Sequence, residues 1–303
     1  MAKIGIIGKG ALGLLYASVA TRTLGDDAAV FVMDEERYQR HLDDVYTVNG
    51  EPMSFATIPV SQAEPVDLVL VAVKAPGLDA ALKLIEPLLG PDTPVISLMN
   101  GLSSEGRIAE RVGAWRVAGC VSYGMDATRF GGTLTYTHEG WLQLGALPEP
   151  GEGVVERVAA ILGECGIANE VCDDIVYRLW TKWMINTGVN QACAAHGVCY
   201  RELLADETAL PFRTYVASLR EAKTVANAEG IPLTEADLNS YIEMIRTFDP
   251  ESRPSMAQDV LNHNPCEVDE FAGLLVELAA KHGLYTPTNA WLLKTIKAIE
   301  AEY

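Results

Sequence analysis

A short apolar run, Ile4-Gly5-Ile6-Ile7, leads directly into Gly8-Lys9-Gly10-Ala11-Leu12-Gly13, and a helical pattern continues from Ala11 to Leu24. In a chain with 26 glycines, a G-x-G-x-x-G match has little weight alone. The strand before it and the helix after it give it weight. Glycines there permit a tight turn and close backbone approach, and the N–H groups of a helix N-terminus suit a pyrophosphate. Gly8, Gly10, Ala11, Leu12 and Gly13 are therefore expected to form a dinucleotide-binding loop rather than an ordinary glycine turn.

The alternation begun by this loop continues. Ala29 to Met33 reads as a second strand, Val66 to Val73 as a β-rich run, Pro76 to Leu89 as a helix and Pro94 to Leu98 as another strand. Val117 to Tyr123, Thr133 to Thr137 and Trp141 to Leu144 read as further strands separated by glycine-rich turns. The alternation through Leu98 points to a parallel sheet covered on both faces. From about Asp173 helical periodicity takes over, interrupted by turns at Gly230-Ile231-Pro232 and Asp249-Pro250. The expected class is α/β: a Rossmann-like, doubly wound N-terminal domain over 1–172 and an all-α substrate and catalytic domain over 173–303. The cleft between two such domains is the default place for a ligand.

Composition removes several other functions. The 303 residues carry 23 basic against 41 acidic groups, a net charge of -18, which disfavours nucleic acid and anionic membrane surfaces as partners. The six cysteines form no Cys-x-x-Cys pair, and the five histidines add no metal-ligand spacing. Reduced thiols in a cytoplasmic enzyme without a bound metal are expected. Ile4 to Ile7 is too short for a secretory core, and no apolar run approaches the roughly 18 residues of a membrane span.

Asp34 lies directly beyond the second strand, 21 residues after Gly13. A carboxylate there accepts both hydroxyls of an adenine ribose and repels a 2′-phosphate, which leans towards NADH. The surrounding Asp34-Glu35-Glu36 cluster also reads as solvated acids, and Arg37 offers a phosphate partner for NADPH.

The segment Leu179 to Asn190 carries most of the chemistry in the second half. Lys182, Asn186 and Asn190 recur every four residues, within an arc of about 80° on a helix, among largely apolar neighbours that include Trp180 and Trp183. A buried ammonium costs several kcal/mol unless paired, so this stripe either packs on another polar surface or faces a cleft. A lysine facing a cleft can protonate a carbonyl oxygen as hydride reaches the carbon.

Taken in order, these blocks resemble the ketopantoate reductase (2-dehydropantoate 2-reductase) family. Ala11-Leu12-Gly13 in the loop, Val73-Lys74-Ala75, Asn100-Gly101, Leu179-Trp180-Thr181-Lys182 with Asn186 and Asn190, and Ser255-Met256-Ala257-Gln258-Asp259 with Glu267 and Asp269 span almost the whole chain. The resemblance implies reduction of 2-dehydropantoate to pantoate, in pantothenate and coenzyme A biosynthesis, with NADPH as the usual cofactor of the family. It implies that Lys182 is the general acid and that Glu267 hydrogen-bonds the substrate hydroxyl. Asn186, Asn190 and Ser255 would hold the keto acid, with Lys74 and Asn100 near the nicotinamide ribose and the substrate. Each residue also has a plainer reading: a surface charge for Lys74, a turn for Asn100-Gly101, a helix cap for Ser255. For Glu267 it is the N3 position of a capping box opened by Asn264.

Three positions depart from the family pattern. Asn190-Gln191-Ala192-Cys193-Ala194 stands for the common Asn-Pro-Leu-Thr-Ala, Tyr200 replaces an expected substrate-side asparagine, and Asp34 stands where a basic residue is frequent. Reduction of another small 2-keto acid on the same architecture is therefore the main alternative. β-Hydroxyacid and opine dehydrogenases share the plan but not the Ser255 to Glu267 block. A non-catalytic NAD(P)-sensing protein would keep the glycine loop without needing the polar stripe. A homodimer is the default assembly.

Overall fold

The computed structural model describes all 303 residues. The first half contains β1 (Ile4–Ile7), α1 (Ala11–Leu24), β2 (Ala29–Met33), α2 (Glu35–Arg40), β3 (Tyr46–Val48), β4 (Glu51–Met53), β5 (Ala56–Pro59), β6 (Leu68–Val71), α3 (Leu78–Ile85), β7 (Val95–Ser97) and α4 (Ser104–Val112). It continues through β8 (Gly119–Met125), β9 (Thr128–Phe130), β10 (Thr133–Thr135), β11 (Glu139–Gly145), α5 (Val154–Glu164) and β12 (Asn169–Val171). Helices follow: α6 (Ile175–His196), α7 (Tyr200–Leu204), α8 (Leu210–Ala228), α9 (Glu235–Ile245), α10 (Ser255–Leu261), α11 (Leu274–Lys281) and α12 (Pro287–Glu300). A π-helical turn, Asp269–Gly273, leads into α11.

Five parallel strands form the main sheet in the order β5-β2-β1-β6-β7. Their sequences are nearly continuous apolar runs because both faces are covered: β1, β2 and β6 are buried at every position. The chain moves outward from β1 through β2 to β5, then restarts at β6 on the other side of β1. That reversal is the topological switch point at which open α/β sheets bind their ligands. The fold is the expected doubly wound sheet followed by a helical domain.

Two details differ from the sequence reading. The later strands are present as read, and with the β3–β4 hairpin, which the sequence reading did not include, they build two smaller mixed sheets, β4-β3-β10-β9 and β12-β11-β8. The single helix expected from Pro76 to Leu89 is α3 with a 3-10 turn at each end, Ala75–Gly77 and Glu86–Leu88. Pro76 and Pro87 lie in those turns, where a missing N–H and a fixed φ are tolerated at the start of a turn but not inside a helix.

The chain divides into two compact units, Met1–Met99 with Ser103–Val176, and Asn100–Leu102 with Tyr177–Tyr303. The division falls within the first turn of α6. In the first unit, Leu14, Leu15, Phe31, Leu68 and Leu142 belong to one apolar cluster, and Val69, Val71, Ile85 and Val95 to another. In the second, Trp183, Met184, Tyr215, Leu219, Phe271 and Leu275 form the core around α6. None of the six cysteines forms a disulfide, and no helix is long and apolar enough to cross a membrane.

Candidate active site

In the first unit, the glycine loop leaves the carboxyl end of β1, Asp34 follows β2, and Lys74 follows β6 by three residues. Their strands are adjacent in the sheet. The three loop glycines are needed for different reasons. Gly8 has φ +113, and a Cβ there would meet the Ala72 carbonyl oxygen at 2.4 Å. A Cβ on Gly13 would meet the Gly8 carbonyl oxygen at 2.0 Å, so these two are demanded by the protein's own packing. Gly10 is not: its φ is -81, and a Cβ would touch only the Ala72 oxygen at 3.6 Å, an ordinary contact. Its bare backbone leaves open space at the start of α1, where the first N–H groups have no intrahelical acceptor. A dinucleotide pyrophosphate fits that feature and would be held by the N–H groups at Ala11 to Gly13.

Asp34 is exposed and caps α2, accepting the Arg37 backbone N–H at Oδ1 over 2.7 Å. The cap fixes its carboxylate at the carboxyl end of β2. Arg37 itself is exposed on α2. Lys74 is exposed, and its carbonyl accepts the Gly77 N–H at 2.8 Å in the turn before α3.

The loop contains a residue that the sequence reading passed over. Lys9 is buried, and its Nζ donates to Thr57 Oγ1 at 2.9 Å, 4.4 Å from the Tyr46 ring centroid and 5.2 Å from that of Phe31. The Arg129 guanidinium donates to the Lys9 carbonyl, and Tyr46 Oη donates to Asp44 at 2.5 Å. Burial lowers the Lys9 amine from 10.5 to about 8, against the attraction of Asp44 and with the repulsion of Arg129. The unfolded chain therefore holds a proton that the folded chain releases between about 8 and 10.5. Stability linked to Lys9 is complete above that window and is lost as pH falls across it, the loss ending at about 8. Relative to Lys9→Met, the wild-type melting temperature should rise with pH across this window and run parallel below it. Melting curves of both proteins from about pH 7 to pH 10 check this, and parallel curves throughout would refute it.

In the second unit, α6 presents the expected stripe. Lys182 and Asn186 are half-buried and Asn190 is buried. Asn190 Nδ2 donates to Asn186 Oδ1 at 3.2 Å. Asn190 Oδ1 accepts from Ser255 Oγ and from the Met256 backbone N–H, each at 3.1 Å. The structure thus brings Asn186, Asn190 and Ser255 into one hydrogen-bonded line, with Lys182 one turn before Asn186. Ser255 is exposed and is the first residue of α10; its hydroxyl is not a helix cap, since Pro254 holds the N-cap position. Asn190 fastens the start of α10 to α6.

The capping-box reading of Glu267 is overturned. Helical structure begins at Val268, not after Asn264. The Asn264 backbone N–H goes to the Asp259 carbonyl at 2.9 Å, and that of the buried Cys266 to Glu300 Oε1 of α12 at 2.8 Å. Glu267 is half-buried, and its carbonyl accepts the Glu270 N–H at 3.0 Å. The Asn100–Leu102 turn groups with this unit: Gly101 has φ +106, and a Cβ on it would lie 3.1 Å from Glu270 Oε2. Asn100 is half-buried in that turn.

Two of the departures find structural places. Tyr200 is buried at the start of α7, its ring edge-on to Phe248 with centroids 5.7 Å apart. Gln191 is fully buried on α6 and hydrogen-bonded on both sides of its amide.

A glycine loop on a doubly wound sheet, joined to a helical unit bearing a lysine and two amides on one helix face, defines an oxidoreductase using a nicotinamide dinucleotide. Residues 4–149 match the family model "Ketopantoate reductase PanE/ApbA" and residues 174–300 match "Ketopantoate reductase PanE/ApbA C terminal". The chain belongs to the ketopantoate reductase family and is an NAD(P)-dependent oxidoreductase. A 2-dehydropantoate 2-reductase of Archaeoglobus fulgidus is 27% identical, with 99% of this chain and 98% of its own length covered. One from Streptococcus pyogenes serotype M1 is 25% identical over 98% and 97%. The solved structure of D-mandelate dehydrogenase with NADH superposes with a TM-score of 0.83 at 25% identity, covering 99% of each chain.

Proposed function

We propose that this chain reduces 2-dehydropantoate to pantoate. The hydrogen-bonded line Asn186–Asn190–Ser255, with Lys182 one turn away on the same helix face, carries this reading. When bound, the nicotinamide supplies a hydride to the keto carbon. Lys182 gives its proton to the carbonyl oxygen as negative charge develops there. Asn186 and Ser255 orient the keto acid, while Asn190, whose carbonyl oxygen already accepts two hydrogen bonds, keeps both in place. Glu267 accepts a hydrogen bond from the substrate's distal hydroxyl. Lys74 lies on the nicotinamide ribose side, and Asn100 serves both the ribose and the substrate.

A second reading keeps the chemistry and changes the substrate to another small 2-keto acid. The likeness to D-mandelate dehydrogenase and the buried position of Tyr200 favour it. For the cofactor, the capped Asp34 carboxylate favours NADH. A screen of 2-keto acids with NADH and with NADPH tests all of this: turnover of ketopantoate above other keto acids is expected, with a higher kcat/KM for NADH. Asp34→Asn preserves the cap and Asp34→Arg adds a phosphate partner, so preference should move towards NADPH in that order. A wild-type protein with strong NADPH preference would overturn the role of Asp34, and consumption of neither nucleotide would overturn the activity.

A further inference from the structure

Helix α6 carries a second polar stripe one position beyond the first. Trp183, Thr187 and Gln191 are each almost wholly buried, and two of them reach the same short segment. Trp183 Nε1 donates to the Glu270 carbonyl at 2.9 Å. Gln191 Oε1 accepts the Ala272 N–H at 2.9 Å. Both backbone groups belong to the π-helical turn Asp269–Gly273. Such turns hold one residue more than an α-helical turn, are uncommon, and cluster at functional sites.

The Gln191 amide is held in one orientation. Its Nε2 donates to the Thr187 carbonyl at 2.6 Å and to Asn289 Oδ1 at 3.1 Å. Asn289 is fixed in turn: Oδ1 also accepts from Ser218 Oγ at 2.9 Å, and Nδ2 donates to Glu221 Oε2 at 2.7 Å. An ionised carboxylate only accepts, so it sets which end of Asn289 faces it, and Asn289 then sets which end of Gln191 faces Ala272. We propose that Gln191, where the family commonly has proline, is a positioning residue: by holding the π-helical turn it sets where Glu267 stands and thereby how the substrate's hydroxyl is recognised. Glu267 lies two residues before the turn, so relaxation of the turn into α-helix would carry Glu267 around the helix axis by about one residue's rotation. The inference rests on the reading of Glu267 as the hydroxyl ligand.

The experiment pairs Gln191→Leu with Gln191→Glu. Backbone hydrogen exchange is followed over residues 266–275, and kcat/KM is measured for ketopantoate and for a keto acid lacking the distal hydroxyl. Gln191→Leu should speed exchange in this segment more than elsewhere. It should also lower kcat/KM for ketopantoate by about 10-fold or more, mainly through KM, with little change for the other substrate. The carboxyl group introduced by Gln191→Glu can both accept and donate while neutral, but only accepts once ionised. Once ionised it faces two acceptors, the Thr187 carbonyl and Asn289 Oδ1, which repel it from its place beside Ala272, so that variant should approach wild-type exchange and substrate contrast at acidic pH and lose both as pH rises. Should the leucine variant fail to fold, this pH-dependent recovery remains as the test. Unchanged exchange over 266–275, or equal losses on the two substrates, would overturn the proposal. If wild type turns over no keto acid, the assigned reaction fails, while the exchange comparison still decides whether Gln191 holds the turn.

Discussion

Lys182→Ala is expected to lower kcat by about 10²–10⁴-fold while leaving nucleotide affinity within about two-fold of wild type. Without Lys182 the developing alkoxide must take its proton from water. On the proposed reading the nucleotide is held elsewhere, by the glycine loop and the start of α1, so its affinity should not follow the rate. Lys182 is half-buried and its neighbour Trp183 supplies the core packing, so the melting temperature should change little. Lys182→Arg is the sharper control. Arginine keeps the charge and can hydrogen-bond a carbonyl, yet it holds its proton far more tightly than lysine and is a poor proton donor. Recovery of substrate binding without recovery of kcat would identify proton transfer as the missing step. Stopped-flow hydride transfer and nucleotide titration separate the two quantities, and wild-type kcat in Lys182→Ala would end the general-acid assignment.

Glu267→Gln should cut kcat/KM for ketopantoate by about 10-fold or more, because a charge-assisted hydrogen bond is roughly twice as strong as the neutral one replacing it. For a keto acid without the distal hydroxyl the change should be small. Glu267 precedes the helix and is not the N3 member of a capping box opened by Asn264, and the melting temperature of Glu267→Gln, measured alongside, separates any effect on folding from the effect on the substrate. Equal losses on the two substrates would mean that Glu267 supports the pocket without reading the hydroxyl. Unchanged rates on both would remove it from the site.

Local sequence made much of the fold legible. β1, α1 and β2 begin and end where the apolar runs and the glycine loop indicated, because continuous burial leaves a continuous apolar signature. The β3–β4 hairpin was passed over although its signal was present: Asn49 and Gly50 have φ values of 52 and 85, the left-handed pair that Asn-Gly suits in a two-residue turn. Its strands are three residues long, too short to show alternation. The stripe on α6 was legible because helical spacing alone defines it. Its connection to Ser255 was not, since residues 65 apart in sequence meet only through tertiary packing. Lys9 shows the opposite limit. A lysine in a glycine loop reads as solvated, and only Thr57, Tyr46 and Phe31, supplied by later strands and the second strand of the sheet, reveal that it is buried.

The two adjacent stripes on α6 also restrict how this protein can diverge. Lys182, Asn186 and Asn190 on one line and Trp183, Thr187 and Gln191 on the next share a single uninterrupted stretch of one helix. Adding or deleting one residue between Lys182 and Asn190 would turn everything downstream by about 100°, sending Asn190 away from Ser255 and Gln191 away from Ala272 together. Among related chains this stretch should therefore vary in composition but not in length, and gaps should collect in the connections on either side.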